Sequence, residues 1–261
     1  MFKSKEIKLI ILGLIILLVE GIFFQRNIQN KNEAVKLRNE TKQQQRIDLA
    51  QKINFLSLEA KAVSIYDVEA KEFIYGQNDT LSLPFASLTK TMTVLIALEE
   101  KKNSIDLLNL ARFTLVSSSN EGADELSLGV NNFILKMNEK AKKIGMKNTI
   151  FYNPTGLDIN ENNAGAYGSA QDANILALYA FNLTNFFIRT TDLEVDNVKN
   201  TNILLGKISN IYFSKTGYTE IAGGNLTIIW KNNSNKKYAV TVLGSSKEGR
   251  FSDMEKILNV L

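Results

Sequence analysis

The rhythm of apolar and polar positions along this chain changes three times, and each change marks a different kind of element. From Leu9 to Phe24 the residues are apolar apart from Glu20 and two glycines. At ~1.5 Å per residue that run makes about 24 Å of helix, against a hydrocarbon core of ~30 Å. Lys5 and Lys8 can reach toward headgroups to close the gap. Lys3, Lys5 and Lys8 all precede the run, so the positive-inside bias predicts a single-pass membrane anchor over residues 1–24, a cytoplasmic N-terminus and an extracytoplasmic body. A cleaved export signal is the alternative, disfavoured because no small-x-small site follows; a buried core helix is disfavoured by the polarity of the flanking segment. Residues 25–52 are rich in Gln, Asn, Lys and Glu without Pro or Gly, and Val35, Leu37, Ile47 and Leu49 keep no sustained heptad. They read as a helical or extended polar spacer.

From residue 53 to 261 short β-prone runs alternate with amphipathic stretches, which sets this region apart as one folded domain. Ala62–Asp67 and Glu72–Gly76 predict a hairpin, because β-branched and aromatic residues flank a polar turn. Helices are expected over about 86–101, 104–116, 119–128, 131–144 and 170–181. Strands return at 208–215, 225–231 and 238–243, with Asn232 to Asn235 as the turn between the last two. A final helix is expected over Phe251–Leu261, with Ser252 as N-cap and Glu255 three residues on as a capping box. Strands at both ends with helices between them imply an α+β fold: an antiparallel sheet flanked by terminal helices, with a helical subdomain over it.

Composition matters chiefly through two zeros. There is no histidine and no cysteine among the 261 residues, which excludes a Ser-His-Asp triad, a cysteine nucleophile, thiolate or imidazole metal sites and disulfides. Any hydrolytic chemistry has to run on Ser, Lys, Tyr and carboxylates, and no metal or cofactor is expected. The net charge of +4 does not point to nucleic acid. Ten of the 31 basic residues and only five of the 27 acidic ones lie in residues 1–52, so the folded region is near neutral.

Three short segments could carry chemistry. In Pro84-Phe85-Ala86-Ser87-Leu88-Thr89-Lys90 the proline suits a first helical turn, and Ser87 and Lys90, three apart, share a helix face. That brings an amine within reach of a hydroxyl at a helix N-terminus, where developing negative charge is favoured. Alone the spacing proves little, since Ser234 and Lys237 share it in a hairpin. A capping serine beside a solvated lysine is the plainer reading. Ser117-Ser118-Ser119-Asn120 reads as a helix cap, or as a relay hydroxyl at Ser118 with a substrate-binding amide at Asn120. Ser214-Lys215-Thr216-Gly217, followed by Tyr218 and Thr219, reads as a charged edge strand, or as a strand margin where a cation and a hydroxyl flank a position without a side chain.

Taken in order, the three segments follow the joint S-x-x-K, S-D-N, K-T-G signature of penicillin-binding proteins and class A β-lactamases, with the middle motif present here as Ser118-Ser119-Asn120. With FASLTKTMT, SSSNEGADEL, GMKNTIFYNPTGLD, GSAQDANILALYA, KNTNILL, KTGYTEIAGGNL and VTVLGSSKEGRF, the region from about residue 60 to 261 resembles the D-alanyl-D-alanine carboxypeptidase family of low-molecular-mass penicillin-binding proteins. The resemblance implies a β-lactamase/transpeptidase-like fold. It also implies a serine peptidase acting on peptidoglycan stem peptides that end in D-Ala-D-Ala and acylated by β-lactams. Ser87 would then be the nucleophile, Lys90 the base and Ser118 a relay. Asn120, Lys215, Thr216, Gly217, Tyr218 and Thr219 would contact substrate, and the backbone N–H groups of Ser87 and Tyr218 would form the oxyanion hole. A D,D-endopeptidase on the same site and an inactive wall-binding scaffold are the rivals. A β-lactamase is disfavoured because residues 145–200 offer no convincing deacylation loop with a glutamate. The 91–117 stretch is shorter than is usual in the family, Glu121 stands where Asp is common and Phe213 where Gly is common.

Overall fold

The computed structural model describes residues 4–102 and 104–261, and they divide into two compact units, up to Gln51 and from Lys52 onward. The first unit is one helix, α1 (Ser4–Asn54), which ends within the second. The polar stretch expected as a spacer is helical and carries its own local bonds, Thr41 Oγ1 to the Leu37 carbonyl at 2.8 Å and Gln44 Nε2 to Asp48 Oδ1 at 2.8 Å. The expected membrane anchor is not upheld: among the described residues no helix is long and apolar enough to cross a membrane. Glu20 interrupts a run already shorter than the ~20 apolar residues a span needs, and polar sequence follows from Gln25. The single-pass localisation, the membrane as partner and the extracytoplasmic placement drawn from that run lose their basis with it. Lys3 and the side chains of Lys5 and Lys8, on which its orientation rested, lie outside the described residues.

The second unit is built on an antiparallel sheet. Strands β1 (Ala62–Asp67) and β2 (Glu72–Gln77) form the expected hairpin, closed by an edge-on contact of Tyr66 and Phe73 at 4.9 Å. After the two-residue strand β3 (Leu83–Pro84) come a 3-10 turn (Ala86–Leu88) and the helices α2 (Thr89–Glu100), α3 (Ile105–Val116), α4 (Asn120–Ser127) and α5 (Phe133–Ile144). Short strands β4 (Ile150–Phe151) and β5 (Ala166–Gly168) lead to α6 (Ala170–Leu183). A 3-10 segment (Asn185–Thr191) and the small hairpin of β6 (Glu194–Val195) and β7 (Val198–Lys199) follow. The chain finishes with β8 (Ile211–Thr219), β9 (Gly223–Lys231), β10 (Lys237–Ser245) and α7 (Gly249–Leu258). The large sheet has the order β2-β1-β10-β9-β8, so β8 is an edge.

Alternation along β10 shows how the sheet is covered. Thr241 donates to Asn174 of α6 at 2.8 Å, and Ala239 and Leu243, of the same parity, join the core that α6 and the helical subdomain share. Val240 and Val242 have the other parity and are fully buried on the opposite face, left for α7 with Phe251, Met254 and Ile257. Asp253 of α7 is buried and accepts from the Glu59 and Ala60 amides and from Ser245 Oγ, which fixes that helix to both ends of the domain. The fold is therefore α+β, an antiparallel sheet between helices with a helical subdomain beside it, as the alternation of patterns implied.

Two local expectations need correction. Pro84 lies in β3 and not in a first helical turn, so α2 starts at Thr89 behind a 3-10 turn. The last helix starts at Gly249, whose amide donates to Ser246 Oγ at 2.9 Å. Ser252 is thus already inside the helix and donates to the Gly249 carbonyl, so no Ser252–Glu255 capping box forms.

Candidate active site

The centre of the site is a buried amine. Lys90 is fully buried in the first turn of α2, and its Nζ lies 2.8 Å from Ser87 Oγ, 2.7 Å from Asn120 Oδ1 and 2.8 Å from the Thr155 carbonyl. Ser87 and Lys90 meet across the junction of the 3-10 turn and the helix. Burial is the main cause that brings the Lys90 ammonium down to about 7, and the Asp124 and Glu121 carboxylates of α4 pull the other way.

A second buried amine faces it. Lys215, in the middle of β8, points its Nζ at Ser118 Oγ (2.9 Å) and at the Thr216 carbonyl (2.9 Å). It too is held well below the ordinary lysine range, by burial first and then by the charges of Lys90 and Arg250. Ser118 reaches it because α3 and α4 meet at a single residue in left-handed conformation, φ +61°. Ser117 closes α3, and Ser119 caps α4 by accepting from the Gly122 amide at 2.9 Å. The serine-rich segment therefore does both things its residue types allow, a cap at Ser119 and site positions at Ser118 and Asn120.

Gly217 explains why the third segment needs a residue without a side chain. A Cβ there would lie 2.8 Å from the Phe85 carbonyl and 3.2 Å from the Ser87 amide nitrogen. The strand edge is thus packed directly against the backbone that presents Ser87. Gly217→Ala is expected to push that turn away and to lower the acylation rate by roughly tenfold to a hundredfold, as a displacement of about 1 Å does; stopped-flow labelling with a fluorescent penicillin measures it.

Of the residues singled out from sequence, Ser87, Lys90, Ser118, Asn120, Lys215, Thr216 and Gly217 converge. The side chains of Tyr218 and Thr219 turn to the rim. The Tyr218 hydroxyl donates to Glu220 at 3.0 Å, with Lys247 5.3 Å from its ring centre, and Thr219 Oγ1 donates to Asp158 at 2.9 Å.

Other contributors were not singled out. Thr155 offers its carbonyl from a loop folded on Asn153, whose Oδ1 accepts from Thr155 Oγ1 and from the Gly156 amide. Gly156 there has φ +77°, and a Cβ would strike the Ala86 carbonyl. Asn225 of β9 donates to the Pro84 and Phe85 carbonyls, at 2.9 and 3.1 Å, and holds the serine turn on the sheet. Arg250 donates through Nη1 to the Gly217 carbonyl at 2.7 Å, while its Nε is buried without a partner. The only sequence signal for these was membership in the blocks FYNPTGLD, GGNL and KEGRF, which assigns no roles. Phe213, at the position where glycine is common, is buried in the core beneath Lys215, around a small cavity with Phe85, Leu88 and Leu176.

A pair of serine–lysine contacts joined across a helical subdomain and a sheet edge defines a class, the active-serine penicillin-binding fold, and comparison with known proteins agrees. Penicillin-binding protein D2 of Listeria monocytogenes, solved with cefotaxime bound, superposes with a TM-score of 0.68 at 28% identity, over 78% of this chain and 98% of that one. The D-alanyl-D-alanine carboxypeptidase DacF of Bacillus subtilis is 28% identical over 78% of this chain, and the chain spans 62% of its length. The D-alanyl-D-alanine endopeptidase of Escherichia coli is 29% identical over 74% of each. The D-alanyl-D-alanine carboxypeptidase family matches residues 99–247, more than half of the chain, and the chain belongs to that family. That match starts beyond Ser87 and Lys90, so the case for those two residues is the geometry.

Proposed function

We propose that this chain is a serine-type D-Ala-D-Ala carboxypeptidase that trims peptidoglycan stem peptides through an acyl-enzyme at Ser87. The observation that carries the reading is the buried Lys90 amine 2.8 Å from Ser87 Oγ, with its other two contacts at oxygens that only accept. A neutral amine gives its two N–H groups to Asn120 Oδ1 and the Thr155 carbonyl, which leaves the lone pair for the Ser87 proton. Lys90 takes that proton as Ser87 Oγ attacks the carbonyl between the two D-alanines. The C–N bond breaks, the departing amine receives a proton through Ser118, and free D-alanine leaves. Water then hydrolyses the ester and regenerates Ser87.

The two amines divide their labour by charge. Both are buried, so they do not both hold protons easily. A substrate carboxylate beside Lys215 and Thr216 favours the charged form of Lys215 and leaves Lys90 the neutral one. That arrangement selects a free C-terminal acid and arms the base in one step. The amides of Ser87 and Tyr218 take the developing oxyanion. Arg250 supports the second of these, because its bond to the Gly217 carbonyl fixes the peptide plane that carries the Tyr218 N–H.

A purified domain of residues 53–261 labelled with fluorescent penicillin is expected to carry the adduct on Ser87 by mass spectrometry, and to release D-alanine from a pentapeptide. Label on any other residue refutes the assignment. A D,D-endopeptidase is the second reading, favoured by the 74% of the E. coli endopeptidase that this chain spans. Cleavage of a cross-linked dimer faster than release of D-alanine from the pentapeptide would establish it.

A further inference from the structure

The segment Asn200–Asn202 laces the helical subdomain to the edge strand, and its middle residue touches the site. Asn200 donates to the Thr190 and Asp192 carbonyls at 2.9 and 2.8 Å, and its Oδ1 accepts from the Asn202 amide. Asn202, buried, donates to Ser214 Oγ of β8 at 2.7 Å. Between them the Thr201 amide donates to the Val116 carbonyl at 3.3 Å, two residues before Ser118. Its hydroxyl lies 2.6 Å from that of Thr216, in a bond where either oxygen can be the donor.

We propose that Thr201 is a positioning residue that sharpens selection for a carboxylate by setting the direction of the Thr216 hydroxyl. The inference rests on the peptidase reading above, in which Thr216 faces the terminal carboxylate of the substrate. A hydroxyl has one proton to give and two lone pairs. When Thr216 turns its proton to an anionic oxygen, its own oxygen is free to accept, and Thr201 supplies the matching donor. Hydrogen bonds in such a chain polarise one another, so the Thr216 bond to an anion is strengthened while its bond to a neutral oxygen gains less. The strap bonds of Asn200 and Asn202 hold Thr201 in place while its hydroxyl rotates.

The test uses benzylpenicillin, which bears a carboxylate, and its neutral methyl ester, with the second-order acylation rate constant as readout. Thr201→Val removes the hydroxyl and keeps the shape, Thr201→Ser keeps the hydroxyl, and Thr201→Ala is a companion should the valine fold poorly. Rates are normalised to folded protein by circular dichroism. Loss of a hydrogen bond that serves a charged ligand is expected to slow acylation by benzylpenicillin about tenfold in T201V and T201A. The methyl ester is expected to change less than about twofold, and T201S to stay within about threefold of the parent. Equal slowing with both compounds, or no slowing with either, overturns the proposal and leaves the peptidase reading intact. A parent chain that is acylated by neither compound defeats the peptidase reading itself, and this inference with it.

Discussion

In Ser87→Ala, penicillin labelling and D-alanine release are both expected to vanish, with turnover reduced about 10⁴-fold or more, the usual consequence of deleting an acyl-enzyme nucleophile. The loss should be chemical and not structural. Ser87 is only partly buried and the turn that carries it is held by backbone: Asn225 on the Pro84 and Phe85 carbonyls and the Phe85 amide on the Ala166 carbonyl at 3.0 Å. Thermal unfolding of the variant should therefore match the parent within about 1 kcal/mol, the range of a small substitution without a named defect. Retained labelling in the folded variant would move the nucleophile elsewhere.

Replacing Lys90 by methionine should be nearly as damaging, slowing acylation about 10²- to 10⁴-fold, the range that general base catalysis supplies. The side chain is of similar length and suits the buried site, but Asn120 Oδ1 and the Thr155 carbonyl lose their donor, at a cost of about 1–3 kcal/mol for each group left unpaired. Arginine restores a donor and still should not restore the rate. A guanidinium stays charged at any working pH and has no lone pair to offer. Lys90→Arg and Lys90→Met should thus be comparably slow in stopped-flow labelling, although their stabilities differ. Recovery of the rate in the arginine variant would show that Lys90 acts through its charge and not as a base.

The candidate site was suggested by three short segments taken in order and by the family resemblance they carry, since the Ser87–Lys90 spacing alone also fits a capping serine beside a solvated lysine. Ser87 and Lys90 are three apart across the junction of a 3-10 turn and α2, and in β8 the residues from Phe213 to Gly217 form one continuous buried run. The hairpin β1–β2 and the turn at Asn232 to Asn235 were legible because runs of β-branched and aromatic residues flank polar turn residues. What stayed hidden depends on main-chain geometry or on long loops. No side-chain pattern reveals that the Thr155 carbonyl accepts from Lys90, because any residue has a carbonyl. The left-handed conformation of Ser118 follows from two helices meeting, and nothing in Ser-Ser-Ser-Asn specifies it. Arg250 and Thr201 come to the site from 163 and 114 positions beyond Ser87 along the sequence, and their partners there are a backbone oxygen and another hydroxyl. The last helix starts at Gly249, three residues before Ser252, and a Ser-x-x-Glu pattern such as Ser252 to Glu255 does not by itself distinguish an N-cap from positions already inside a helix. The membrane anchor was misjudged for a simpler reason: sixteen residues of apolar sequence were counted as a span although Glu20 and the polar sequence from Gln25 leave it short.

Burial is the leading cause that lowers both Lys90 and Lys215, and the repulsion between them comes second at Lys215. The carboxylates of Glu121 and Asp124 hold Lys90 higher than burial alone would. Glu121→Gln should accordingly shift the titration of Lys90 to lower pH.

The measurement that bears most directly on Lys90 as an uncharged base is the pH dependence of acylation in the parent and in Lys90→Met. Because burial brings Lys90 down to about 7, the second-order rate should climb between about pH 5 and about pH 9, with a midpoint near neutrality that reports the free enzyme. That rising limb should be absent in Lys90→Met. A midpoint close to the ordinary lysine value near ~10.4, or a limb that survives in the methionine variant, would contradict the account.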